Sequence, residues 1–320
     1  MTCLKCQHGR AKRFGFAKNR IQRYRCHTCR VTFLEPRAKP LGNHYTDMEK
    51  AIQVVSFITE GMSIRATSRL TGLHKNTVMA ILLTIGRNCE RLLDVKMTGV
   101  RARFVQADEA WSYIHTKGKR VRRTDPAEWG DCYVWAALDS ETKAILSYHV
   151  GKRDSVSAYE FIEGLRRRVD GIFQLSTDGL NWYVPAVEEH FGADVHYGQQ
   201  TKVFGQPETP SAPEWYKPAP KVIGVFRRIF SGDPDPSRIS TCHIERANGI
   251  LRQHIRRVGR LVNAFSKTLE GFKAAVALFA AWYNLCLVHS ATRVTPGMGS
   301  GITDHVWTVR ELLEAAATLT

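Results

Sequence analysis

The first 34 residues contain no aspartate or glutamate, which leaves their nine Lys and Arg side chains without local counter-charge. The shortage of acid runs through the chain: 30 Asp and Glu stand against 46 Lys and Arg, a formal net charge of +16 over 320 residues. An excess this large sets up a field that attracts polyanions, so nucleic acid is the first partner to expect. Long apolar runs are missing too. The longest, "AAVALFAAW" (274–282), is well short of the roughly 20 residues a bilayer span needs, and "MTCLKCQHGRAKR" at the start has no apolar signal segment. No membrane partner is expected, and the expected compartment is the reducing cytoplasm. There is no low-complexity tract, and the only repeat is a pair of Cys knuckles.

Those knuckles are the strongest local signal. Cys3-x2-Cys6, nineteen residues, then Cys26-x2-Cys29 is the spacing of a zinc ribbon, in which four thiolates close a tetrahedral Zn²⁺ site. A segment so poor in apolar residues cannot bury a core, so metal binding has to supply most of its folding free energy. His8 and His27 beside the knuckles read as bystanders or phosphate contacts. Cys89, Cys132, Cys242 and Cys286 are scattered and read as small buried or half-buried residues.

Residues 1–36 are therefore read as a zinc ribbon, and "PRAKPLGNHYT" (36–46) as a linker. Helical periodicity follows over 45–96. Ala51, Val54, Val55 and Ile58 mark one helix ended by Gly61; "SIRATSRL" (63–70) is a second, begun by Ser63. After the turn "TGLHKN", Val78, Ile81, Leu82 and Ile85 repeat at helical spacing and leave Lys75, Asn76 and Met79 facing outward at the helix start. This is the layout of a helix-turn-helix, whose last helix offers its N-terminal residues to DNA.

From about residue 100 the periodicity changes to strands, at 102–111, 132–139, 143–150, 171–178 and 194–197, with helices around 158–165 and 184–190. Strands and helices in this order predict an α/β fold with a mixed sheet flanked by helices. Residues 199–238 hold seven of the twelve prolines and read as an irregular insertion; their "VFRRIF" (225–230) could touch DNA or be a solvated loop. A core helix at 272–287 and a tail, 293–320, complete the chain.

Phosphodiester chemistry in a basic protein calls for carboxylates holding divalent metal, because charge gathers on oxygens in the transition state. Asp108 closes the apolar "RFVQAD" and Asp178 closes "FQLSTD", both read as strand C-termini, where open α/β sheets place their sites. Gly179 then allows substrate backbone to approach. In "CHIERANGILRQHIRR" (242–257), Glu245 shares one helical face with Arg252 and Arg256, with Arg246, Arg257 and Arg260 on neighbouring faces. Such a helix would set its acid toward metal and its arginines along a DNA backbone. Glu109 alternates to the opposite face of its strand and reads as a salt-bridge partner; Asp139 reads as a turn cap and Asp154 as a helix cap. Trp111, Trp182 and Tyr183 could stack on a displaced base or pack in the core.

At "DEAWSY" (108–113), "STDGLNWY" (176–183) and "HIERANGILRQHIRRVGRLVNAFSK" (243–267), together with the Cys knuckles and helix-turn-helix pattern, the chain resembles the DDE transposases of bacterial insertion sequences, most closely the IS1 family. The resemblance implies an RNase H-like catalytic domain over 100–292, with Asp108, Asp178 and Glu245 binding two Mg²⁺ (or Mn²⁺) ions. It also implies cleavage that frees a 3′-OH at the element's end, then transfer of that end to target DNA, in a nucleoid-associated homodimer or larger assembly. The 66 residues between Asp178 and Glu245 exceed those of shorter members. A non-catalytic zinc-ribbon and helix-turn-helix regulator, and a structure-specific nuclease, are the alternatives.

Overall fold

The computed structural model describes residues 1–17, 21–35, 41, 42, 44, 46–205, 221–259 and 263–318. The chain divides into two compact units, Met1–Lys39 and Pro40–Thr320. In the first, β1 (Ala11–Phe16), β2 (Gln22–Cys26) and β3 (Thr32–Leu34) form an antiparallel sheet in that order. Little is buried in it besides Cys3, Tyr24 and Cys26, which agrees with the expectation that apolar packing alone does not hold this segment.

The second unit begins with three helices. α1 (Met48–Thr59) is capped by Asp47, α2 (Ile64–Thr71) by Ser63, and α3 (Lys75–Lys96) by His74, whose ring accepts from the Asn76 N–H. Gly61 and Gly72 end the first two in the left-handed region. At Gly61 a Cβ would also lie 2.3 Å from the Gln253 carbonyl, so no other residue fits. Val78, Ile81, Leu82 and Ile85 are buried as their spacing predicts. Lys75 and Asn76 are exposed, whereas Met79 is partly buried against the core and its sulfur faces the Arg257 guanidinium.

A two-residue pair, β4 (Val100–Arg101) with β8 (Val169–Asp170), stands apart from the main sheet. That sheet has six strands: β5 (Phe104–Ile114), β6 (Gly130–Asp139), β7 (Ile145–Gly151), β9 (Phe173–Thr177), β10 (Val195–Phe204) and β11 (Val222–Ser231). The order is β11-β10-β9-β5-β6-β7, with β9 parallel to both β5 and β10 and the other pairings antiparallel. It is a mixed sheet, and it carries α4 (Ser155–Arg166) and α5 (Tyr183–Phe191) on the side of Trp135, which packs on Phe161 and Tyr183. α6 (Cys242–His254) and α7 (Leu269–Leu285) cover the opposite face.

The structure departs from the sequence pattern at two points. The stretch 199–238 is not irregular throughout: β10 runs on to Phe204 and pairs with β11 as an antiparallel hairpin. Its prolines misled because none lies in either strand: Pro207, Pro210, Pro213, Pro218 and Pro220 fall in 206–220, outside the described residues, and Pro234 and Pro236 follow β11. Asp108 does not close its strand either. β5 continues six residues past it because β6 pairs along its whole length.

α7 is buried along almost every side. It crosses α3 so closely that a Cβ on Gly86 would lie 2.4 Å from the Ala274 carbonyl. Its Asn284 amide donates to the Ile145 carbonyl at 2.9 Å and accepts from the Ile145 N–H at 3.0 Å, satisfying the backbone of the edge strand β7. Residues 293–320 contribute α8 (Pro296–Gly299) and α9 (Val309–Thr318); α9 buries Leu312, Leu313, Ala316 and Ala317. No helix among the described residues is long and apolar enough to cross a membrane.

Candidate active site

The cysteines of the N-terminal unit meet. Cys3 and Cys29 sulfurs are 3.6 Å apart, those of Cys6 and Cys26 3.5 Å apart, and all four lie within 4.8 Å of one another. Zn–S bonds of about 2.3 Å make a tetrahedron with edges of about 3.8 Å, so the cluster fits a structural Zn²⁺. Each knuckle places a left-handed residue directly after its second cysteine, Gln7 (φ 60) and Arg30 (φ 55). This turns the backbone so that N–H groups face the first thiol: those of Cys29 and Thr28 pull the Cys26 thiol down to about 6.

The carboxylate cleft is built by β5. Parallel pairing with β9 sets Ala107 opposite Thr177, which puts Asp108 beside Asp178, the residue just past the end of β9. Two side chains on one face of β5 then fix α6. Gln106 accepts from the N–H groups of His243 and Ile244, capping the helix, and Asp108 accepts from the Asn248 amide at 2.9 Å. Glu245 sits on the first turn of this helix, lining the same cleft as Asp108 and Asp178, of about 410 Å³, with Asn248 and Arg252. Its carboxylate is taken by the Lys202 ammonium, 2.6 Å from Oε2, and by the Thr241 hydroxyl at 2.6 Å.

Glu109 does alternate to the other face of β5, and Arg153 pairs with it at 3.3 Å. Yet it also joins the cluster. One oxygen from each of Asp108, Glu109 and Asp178 lies within 4.8 Å of the others, because β9 stops at Thr177 and Asp178 curls over its end, within reach of both faces. Arg153 spans Glu109 and Asp178, the latter at 3.6 Å. Burial, then the charge of Asp178, raises Asp108 to about 6 and Glu109 to about 8. Arg153 is the cation that offsets this charge from the α4 side, its own burial being outweighed by Glu109 and Asp178. Three crowded carboxylates, two of them with raised proton affinity, are a donor set that suits a hard divalent cation.

The other predicted positions divide. Arg246 and Arg256 are exposed and Arg252 lines the cleft. Arg256 is not on the face shared by Glu245 and Arg252, because α6 ends at His254 where Ile255 turns extended and buries its side chain. The Arg257 guanidinium is tucked against α7, donating to the Gly271 carbonyl at 2.8 Å, and burial lowers it to about 10. Arg260 lies outside the described residues. The space at Gly179 is taken by the protein itself: a Cβ there would be 2.7 Å from the Thr201 hydroxyl of β10. Tyr183 is fully buried, while Trp182 is exposed. Asp139 caps its turn and Asp154 caps α4. Arg153, Lys202 and Asn248 had no sequence signal, since each reaches the cleft only through the packing of its element.

No family model and no curated protein matches this chain. Among solved structures, a piggyBac transposase synaptic complex with hairpin DNA is similar over 86% of this chain and 71% of that one, at 10% identity and a TM-score of 0.37. A likeness that loose carries no weight for fold or function.

Proposed function

We propose that the chain is a DDE-type transposase of the IS1 kind, which binds the terminal inverted repeats of an insertion sequence, cleaves DNA and joins the freed 3′-OH to a target. The observation that carries this is the meeting of Asp108 and Asp178 at the end of β9, with Glu245 and Arg252 in the same cleft, in a chain of net charge +16. An antiparallel meander, β5 to β7, continued beside β5 by parallel strands supports an RNase H-like reading of residues 100–292.

In this reading Asp108, Asp178 and Glu245 hold Mg²⁺ or Mn²⁺. Two divalent ions supply activation of the attacking oxygen and charge stabilisation at the leaving one. Asn248 fixes the Asp108 carboxylate and Arg153 fixes that of Asp178, so both are aimed before DNA arrives. Lys202 holds Glu245 through a part-exposed ion pair, an interaction weak enough to exchange for another cation. Arg252 contacts the flanking phosphate, and the exposed Arg246 and Arg256 meet the backbone away from that face. The zinc ribbon and the helix-turn-helix of 45–96, through Lys75 and Asn76, bind the element's ends, and two ends require a homodimer or more.

The test is incubation of the full chain with Mg²⁺ and duplexes carrying the repeats that flank its gene. End-specific nicking and joining, lost in Asp178→Asn with binding intact, is the expected result. Binding without cleavage would leave the regulator; cleavage with no preference for the ends would leave the nuclease.

A further inference from the structure

Beyond the carboxylates, the face of β5 that carries Glu109 also carries a row of aromatic side chains leading away from the cleft. Glu109, Trp111 and Tyr113 alternate onto this face, and Tyr133, directly opposite Trp111 on β6, lines the cleft itself. Trp111 and Tyr113 rings are 5.7 Å apart, and Tyr113 stacks on Phe265 at 5.3 Å and 26°. Phe265 is 36% exposed. It is brought there by the pairing of Ile114 with Ser266 and by the His115 N–H donating to the Ser266 carbonyl at 2.8 Å. From Glu109 to Tyr113 this row spans about 13 Å at strand rise.

Where β5 ends, the chain enters an exposed basic loop. Lys117, Lys119, Arg120, Arg122 and Arg123 fall within seven residues, all exposed, and no ion pair among the described residues neutralises them. Two of the nearby acids are turned to backbone: Asp131 accepts from the Gly118 N–H and Asp125 from that of Arg122. The loop is anchored at its root. His115 is held at φ 59, a conformation costly for a non-glycine residue, and its ring lies flat on Trp129 at 3.6 Å and 6°.

We infer that this row and loop form a single-strand DNA track, on which unpaired bases beside the cleavage site stack while their phosphates meet the basic loop. The inference rests on the reading of the cleft as a DNA-cleaving site. Aromatic faces favour a single strand, since a duplex hides the base faces they would stack on. The cations match a phosphate backbone, and the track starts at Tyr133 on the wall of the cleft. A strand leaving the carboxylates along β5 therefore meets rings first and charge second.

The test uses the full chain carrying Asp178→Asn, so that binding is measured without cutting. Fluorescence anisotropy with a labelled mixed-sequence 12-mer compares the single strand, its duplex and the same sequence as RNA. Tyr113→Leu with Phe265→Leu should weaken the DNA single strand about tenfold, since one stacked base contributes about 1–3 kcal/mol, and leave duplex binding within twofold. Lys117→Gln with Arg122→Gln, on an exposed loop whose change leaves the fold intact, should lower the single-strand salt slope by about 1.4, at about 0.7 per phosphate. In the chain without loop or ring substitutions, a single strand bearing 5-iododeoxyuridine should photocross-link to Trp111 or Tyr113. Unchanged single-strand affinity in both variants, cross-links only elsewhere, or tighter binding of RNA would overturn the inference. Cleavage by the native chain without such binding sinks the track alone; single-strand binding without any cleavage sinks the transposase reading instead.

Discussion

The molecule offers two candidate metal centres built on opposite plans. The four thiols come from two short turns of one small unit, and each turn presets its own pair through a left-handed residue. The carboxylates that meet, Asp108, Glu109 and Asp178, come from the middle of one strand and the end of another, while Glu245 stands outside that cluster and lines the cleft from the first turn of a helix, with 66 residues between Asp178 and itself, and nothing local sets this arrangement. The thiol cluster is close to complete as it stands. The carboxylate cluster carries strain, with Asp108 and Glu109 both raised by burial and by Asp178. A structural site gains its fold from the ion, whereas a reactive site is held by the fold against its own charge repulsion.

Breaking the thiol centre should have the largest effect. Chelation of zinc, or Cys26→Ser, should unfold Met1–Lys39 outright, since structural zinc contributes about 10–16 kcal/mol in small fingers. Loss of dispersed amide NMR signals from this unit, with those of Pro40–Thr320 retained, is the expected reading. If both units melt together, the contrast between the centres is wrong.

Asp178→Asn should lower cleavage by at least about 10³-fold, some 4 kcal/mol of barrier, while the melting temperature stays within a few degrees. Single-turnover kinetics beside calorimetry checks this, and a variant that unfolds would remove the distinction between held and holding.

The third expectation concerns pH. Asp108 titrates from 3.8 up to about 6 and Glu109 from 4.5 up to about 8 in the folded state. Both are raised, so their contribution to stability is full below about 4 and is lost as pH climbs to about 8. Without divalent ions the melting temperature should therefore fall across that window, and Glu109→Gln should flatten the fall. Divalent metal at about 100 times its Kd should restore about 2.7 kcal/mol, or about 5 °C. A melting temperature that rises from pH 5 to 8 and ignores Glu109→Gln would mean the carboxylates are not under strain.

The smallest effect separates two neighbouring arginines. Arg256→Ala should weaken DNA binding a few-fold at unchanged melting temperature. Arg257→Met should leave affinity nearly unchanged, because its guanidinium faces the Gly271 carbonyl and not solvent. Equal losses of affinity in both would place Arg257 on the DNA.

Much of this is legible in the sequence. The cysteine spacing, the α3 stripe, the caps at Ser63 and Asp154 and the alternation of β5 depend on neighbours within one turn or one strand, and each appears where periodicity put it. The β10–β11 hairpin was missed because the prolines between and after its strands suggested irregularity and the strands, ending at Phe204 and starting at Val222, are not adjacent in sequence. Met79 and Arg257 looked like surface residues on their own helices; α7 covers them. Glu109 read correctly as an ion-pair partner, but strand alternation could not foresee that β9 would stop at Thr177 and let Asp178 reach it.

The sequence by itself determined the net charge, the two knuckles and which residues face inward along each helix and strand, since these follow from composition and from fixed periods of the backbone. Only the tertiary structure decided which acids meet, that Arg153 lies against them and Lys202 against Glu245, and where the half-buried aromatic row runs. Those facts depend on strand order and register, and a register is fixed by the packing of whole elements, not by any one segment of chain.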